Sequence, residues 1–197
     1  MFKLGLTGGI ATGKSTVSTH FKEQHIPVLD ADVIAREIVM PGEPALAEIV
    51  ATFGEEMLLA DGTLNRQALG SVVFGNPAKL QQLNAITHPR VQASMRAQIA
   101  AHEAAGEPLI VLDIPLLLEG HNAAGADAVM VVSVPEEVQK QRLMARNNLS
   151  EEAALKRINS QMPLAEKRQL ADYVIDNAGT IAETYAQVDA VLSEILH

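Results

Sequence analysis

A chain of 197 residues, 48% hydrophobic and 20% charged, has the balance of a soluble globular protein: one compact domain with room for an insertion. Its net charge of −9 argues against a sequence-independent nucleic-acid binder, which needs a basic face. The absence of cysteine excludes disulfides and thiolate zinc sites. No charged-then-apolar leader opens the chain, and its longest apolar stretches are too short to span a bilayer, so a cytoplasmic protein with no membrane segment is expected.

Phe2 to Thr7 reads as a strand and is followed at once by glycines, and Lys14 to Glu23 reads as a helix with Val17 and Phe21 at helical spacing. Ile26 to Asp30 reads as a second strand, which makes the opening a βαβ unit. From Asp32 to about Gly106 the pattern is helical. Leu46, Ile49, Val50 and Phe53 share a helix face, and Asn76-Pro77 pairs an N-cap with proline at the first helical position. Pro89 is expected to kink or restart that helix. Leu109–Asp113 and Ala128–Val134 are apolar runs of the kind that forms strands buried on both faces. Pro135-Glu136-Glu137 opens one further helix, and Ser150 caps another. Tyr173–Asp176 reads as the last strand, and Ile181, Tyr185, Val188, Leu192 and Ile195 form the stripe of a final helix. The expected fold is α/β, a P-loop NTPase fold: a parallel five-stranded sheet between helices, with a helical insertion after strand two and a helical lid. The expected parts are a core (1–31, 107–146 and 167–197), the insertion (32–106) and the lid (147–166).

Gly8 to Ser15 matches G-x-x-x-x-G-K-[ST] without a mismatch, between a strand and a helix. Glycines at both ends allow a tight turn whose N–H groups converge on phosphate oxygens, and the helix N-terminus adds partial positive charge. Backbone groups of Gly9, Ala11, Thr12 and Gly13 are therefore ATP-binding candidates, with Lys14 on the β- and γ-phosphates, Ser15 as the Mg²⁺ ligand, and Thr16 on the α-phosphate. A chance match in a chain this long is about one in a hundred.

A small kinase also needs an acceptor site and a lid that excludes water. The chain has no guanine-selecting N-K-x-D sequence. Asp30 and Asp32 end the second strand and point the same way if the extended geometry persists. One of them serves as the base toward an attacking hydroxyl, or Asp32 is only a helix N-cap. Arg36 suits an anionic acceptor or a solvated surface. Arg142 with Arg146, and Arg157 with Gln161, fall at i, i+4 on two successive helices, as a lid or as plain solvated faces would have them. His88 reads first as a helix-break residue.

The order of these motifs resembles the dephospho-CoA kinase family nearly end to end. Leu6 to Ile10 leading into Gly13-Lys14-Ser15 is similar to that family's start. Asp30-Ala31-Asp32 with Arg36, Pro41-Gly42, Phe53-Gly54, Asp61-Gly62, Leu64-Asn65-Arg66, Val73-Phe74, His88-Pro89, Pro115 to Glu119, Arg142, Arg146, Gln161 and Val174 to Asn177 follow in its order. One departure is that Ala11-Thr12 stands where the family usually has Gly-Ser, which reduces loop flexibility without loss of function.

The resemblance implies transfer of the ATP γ-phosphate to the ribose 3′-hydroxyl of dephospho-CoA, with Mg²⁺. The implied partners are ATP and dephospho-CoA, and the implied state is a monomer or small homo-oligomer. By position it makes Asp32 the catalytic base beside Lys14, and Asp32, Arg36 and His88 the acceptor-binding set. It places Arg142, Arg146 and Asn177 with ATP, Asn177 near the adenine. Asp113 ends a Walker-B-like strand, and Glu119 is either an acceptor-side or a structural carboxylate. Lys14→Ala is expected to abolish turnover in a protein that stays folded. The rivals are a kinase for another small acceptor and a non-catalytic nucleotide switch.

Overall fold

The computed structural model describes residues 1–119 and 125–196. In chain order the elements are β1 (Phe2–Gly8), α1 (Lys14–Glu23), β2 (Val28–Asp30), α2 (Ala31–Glu37), α3 (Pro44–Phe53), α4 (Arg66–Val73), α5 (Pro77–Ala104), β3 (Leu109–Asp113), β4 (Ala128–Ser133), α6 (Glu136–Asn147), α7 (Glu151–Ile158), α8 (Leu164–Leu170), β5 (Tyr173–Asp176) and α9 (Ile181–Leu196). Two compact units emerge: Met1–Asp30 with His102–His197, and Ala31–Ala101.

The first unit is a parallel sheet in the order β2-β3-β1-β4-β5. Every residue of β3 and β4 is buried, as expected of apolar runs covered on both faces. Alternation divides the core. Leu4, Leu6, Val111, Met130, Val132 and Ile175 pack with Val17 and Phe21 of α1 and Val188 and Leu192 of α9. Val129 and Val131 lie on the opposite face with Leu117, Leu118 and Ala171. Phe21 is fully buried, and burial of a side chain of that size contributes roughly 1.5–3 kcal/mol. The chain leaves β1 toward β2 on one side and leaves β4 toward β5 on the other, so a crevice opens at the carboxyl ends of β1 and β4, where ligands of such sheets bind.

The second unit is helical, around Ala45, Leu46, Ile49, Met57, Leu69, Val73 and Ile86. Its helix starts are local products of sequence: Asn65 Oδ1 accepts from Ala68 N at 3.0 Å, and Asn76 Oδ1 accepts from Lys79 N at 3.1 Å. Asp61-Gly62 forms a turn, with Asp61 Oδ1 accepting from both the N–H (3.0 Å) and the hydroxyl (2.6 Å) of Thr63.

The structure departs from the sequence expectations at several points. Of the two alternatives at Pro89, the restart does not occur: one helix runs from Pro77 to Ala104 with Pro89 inside it. Proline removes one backbone donor, and nearby side chains bond to carbonyls of the same stretch, Thr87 Oγ1 to Leu83 O (3.0 Å) and Arg90 Nη1 to Ile86 O (2.6 Å). Second, α2 begins at Ala31, immediately after β2, so the extended geometry that would align Asp30 with Asp32 does not persist. For the same reason Asp32 is a first-turn residue of that helix and not its N-cap. Third, α7 ends at Ile158, so Gln161 lies in the following turn and not on a helix face with Arg157. Fourth, the strand edges differ slightly: β2 starts at Val28, not Ile26, and β4 ends at Ser133.

Candidate active site

The strand–turn–helix context of the glycine-rich loop is present, with β1 ending at Gly8 and α1 starting at Lys14. Gly13, at φ +86°, is the left-handed cap from which α1 starts. A Cβ there would run into the Asn177 side-chain amide, and one at Gly8 would come within 2.9 Å of Val132 O. Both sites need glycine for space, and Gly13 needs it for its backbone as well. Ala11 also adopts a left-handed φ of 60°. This alanine thus occupies a conformation that suits glycine, at about 1 kcal/mol of strain. Thr12 closes the loop: its N–H and its hydroxyl both donate to Gly9 O, at 3.3 and 2.9 Å.

Ser15 is exposed in the first turn of α1, and Thr16 is half-buried with its N–H on Gly13 O at 2.9 Å. Lys14 Nζ pairs with Asp113 Oδ1 at the end of β3. Asp113 is 2% exposed, and burial pushes its carboxyl above the usual carboxylate range, with Lys14 and a hydrogen bond from Ser18 pulling the other way. Asp30 stands directly beside it in the β2–β3 register and adds to the upward push.

The loop is held by side chains from the C-terminal half. Gln161 Oε1 accepts from Ile10 N at 2.8 Å, and Gln139 Nε2 donates to Ile10 O at 2.8 Å. Asn177 Nδ2 donates to Thr12 O at 2.7 Å, while its own Oδ1 accepts from Thr184 Oγ1 at 2.8 Å. Asn177 is therefore placed against the P-loop, with its side chain committed there. Arg142, half-buried on α6, donates to Asn177 O at 3.0 Å, whereas Arg146 is exposed and donates to Asn147 Oδ1 at 2.9 Å. Lys167 of α8 is fully buried; it pairs with Glu119 Oε1 at 2.7 Å and donates to Gly8 O at 3.2 Å. A cavity of about 790 Å³ opens beside this clamp, lined by Ser133, Gln139, Gln161, Met162, Leu164 and Arg168 among others.

Asp32, Arg36 and His88 belong to the second unit. Asp32 and Arg36 are exposed one turn apart on α2, so they share a helix face. His88 is exposed within the continuous α5.

Sequence reasoning missed Gln139 and Lys167. A lysine at a buried helix position leaves no apolar signal, and α8 is only seven residues long, although Pro163 just before it marks a helix start. Gln139 offered no local cue, because its partner lies 129 residues away.

Comparison with known proteins places the chain in a family. The family model described as dephospho-CoA kinase matches residues 2–183. A dephospho-CoA kinase of Shouchella clausii is 50% identical over 195 residues, covering 99% of each chain. A solved structure of a Thermus thermophilus protein aligns with TM-score 0.82 at 35% identity, covering 98% of this chain and 97% of its own. The structure of the dephospho-CoA kinase from Campylobacter jejuni aligns with TM-score 0.68 at 29% identity, over 98% and 97%. With a phosphate cradle at the end of β1 and a family match over nearly its whole length, the chain belongs to the dephospho-CoA kinase family, whose members catalyse the last, ATP-dependent step of coenzyme A synthesis.

Proposed function

We propose that the loop Gly8–Thr16 binds the ATP phosphates and that Asp32 receives the proton of the dephospho-CoA ribose 3′-hydroxyl as it attacks the γ-phosphate. The observation that carries this reading is the loop itself: a G-x-x-x-x-G-K-S turn between β1 and α1, with Lys14 held ready on Asp113. When nucleotide arrives, Lys14 exchanges the Asp113 carboxylate for phosphate oxygens. The transition state of phosphoryl transfer is loose, so the protein's part is positioning and charge neutralisation. Lys14, the amides of Gly9, Ala11, Thr12 and Gly13, and the start of α1 supply that charge.

The donor set suits Mg²⁺. The Ser15 hydroxyl and the Asp113 carboxylate are hard oxygen ligands at the ends of adjoining elements. Bound there, the ion would neutralise charge shared by the β- and γ-phosphates.

Arg142 and Arg146 are assigned to the ATP side. Support comes from Arg142, whose guanidinium already bonds to the carbonyl of Asn177 next to the loop. Arg36 and His88 are assigned to the acceptor, through the family pattern and their exposed positions on α2 and α5. Residues 32–106 serve as the acceptor-binding insertion and 147–166 as the lid. The reaction is set in the cytoplasm, which a cysteine-free chain using ATP suits, and no helix among the described residues is long and apolar enough to cross a membrane.

Asp32→Asn tests the central assignment. It should lower kcat by ~10²-fold, the ordinary size of a general-base contribution, with KM for ATP unchanged. A kcat within a few-fold of the parent would leave Asp32 as only a first-turn acid of α2.

A further inference from the structure

Three alternate carbonyls of the phosphate loop are each met by a side-chain donor from the last third of the chain. Lys167 Nζ reaches Gly8 O at 3.2 Å, Gln139 Nε2 reaches Ile10 O at 2.8 Å, and Asn177 Nδ2 reaches Thr12 O at 2.7 Å. A trans peptide is planar, with its C=O and the following N–H directed oppositely. Each anchor therefore turns the next N–H, that of Gly9, Ala11 or Gly13, away from the anchoring side chain. The left-handed backbone at Ala11 and Gly13 is the conformation in which successive N–H groups form an anion-binding concavity. Ile10 N–H, by contrast, is taken by Gln161.

The anchors are themselves fixed. Lys167 is 0% exposed and carries Glu119 as its counter-ion. Gln139 is 3% exposed, and Asn177 is held by Thr184. Two of them also approach too closely for a side chain at a neighbouring glycine: a Cβ on Gly9 would stand 2.7 Å from Gln139 Nε2, and one on Gly13 would run into the Asn177 amide. A buried lysine is costly unless it is paired and hydrogen-bonded, and the carbonyl it meets here belongs to the first glycine of the motif.

Resting on the reading that this loop binds ATP phosphates, we infer that Lys167, Gln139 and Asn177 are positioning residues. They preset the cradle by gripping its carbonyls from behind, so that the amides need no rearrangement when phosphate binds. None of the three needs to touch the nucleotide to do this. Their effect falls on the phosphate part of the ligand and leaves the nucleoside part alone.

NMR titration of the full chain with ATP, inorganic tripolyphosphate and adenosine tests this. Two variants are compared with the parent: Gln139→Met, which keeps volume and buries no charge, and Lys167→Met combined with Glu119→Gln, which removes the buried pair together. Each should weaken ATP and tripolyphosphate by about tenfold, the scale of a lost hydrogen-bond contribution to a charged ligand, with adenosine affinity unchanged. If the double variant does not fold, Gln139→Met alone decides. Phosphate affinities within twofold of the parent in folded Gln139→Met protein would overturn the inference, as would an equal loss for adenosine. Failure of the parent itself to bind ATP or tripolyphosphate would instead strike the reading of the loop.

Discussion

Replacing Lys14 with methionine should destabilise the protein as well as stop turnover, because Lys14 is the counter-ion of a buried acid. Asp113 is 2% exposed and Lys14 21% exposed. Removing one member of a buried ion pair costs about 3–5 kcal/mol, because the remaining charge is left without compensation. The partial exposure of Lys14 admits some screening, so the low end, about 3 kcal/mol near neutral pH, is expected. The pH dependence follows from the direction of the Asp113 shift. Burial raises this carboxyl, Lys14 and Ser18 oppose the rise, and the neighbouring Asp30 adds to it. A carboxyl whose folded value is raised favours the folded state when protonated, and that contribution is lost as pH rises through the raised value. Without Lys14 the value climbs further, so the variant is penalised at neutral pH and relieved as Asp113 takes up a proton. Urea unfolding of both proteins from about pH 8 down to about pH 5 should show the gap between them narrowing with acid. Adding Asp113→Asn to the variant should recover most of the lost stability. A gap that stays constant across the range, or no gap at neutral pH, would refute the argument.

Ala11 gives a paired test of loop strain. Ala11→Gly relieves the left-handed strain but adds unfolded-state freedom, so the two effects should offset to within about 0.5 kcal/mol. Ala11→Val puts a β-branched residue at positive φ and should lower the melting temperature by several degrees and raise KM for ATP; equal behaviour of the two variants would contradict the backbone assignment. Asn65→Ala removes the N-cap of α4 and should cost about 1 kcal/mol by thermal unfolding, with no change in ATP affinity. An unchanged melting temperature there would show that the cap bond contributes nothing.

What could be read in the sequence was what is contiguous. The eight residues from Gly8 to Ser15 carry their own turn, helix start and charge, and the apolar runs of β3 and β4 need no partner to be recognised. N-caps at Asn76 and Ser150 are equally local, each bonding to the residue three positions on; the cap at Asn65 has the same local geometry but was not singled out. Interactions across long sequence separations were not. The bonds from Gln139 and Lys167 to the loop span 129 and 159 residues, and Gln161 was misplaced onto a helix because i, i+4 spacing says nothing about where the helix ends. Pro89 left a kink or a restart open, and the sequence could not exclude the restart: a proline normally ends a helix, yet α5 passes through it with side chains serving nearby carbonyls. The Asp30–Asp32 alignment failed because a period-2 argument assumes an extended chain, and here the helix begins one residue after the strand.

The most direct test of the whole account is ADP formation from Mg-ATP with dephospho-CoA, AMP, CMP or shikimate as acceptor. ADP should appear only with dephospho-CoA, in a one-to-one ratio with coenzyme A. Acceptor-independent binding of ATP without turnover, or turnover on one of the other acceptors instead, would contradict it.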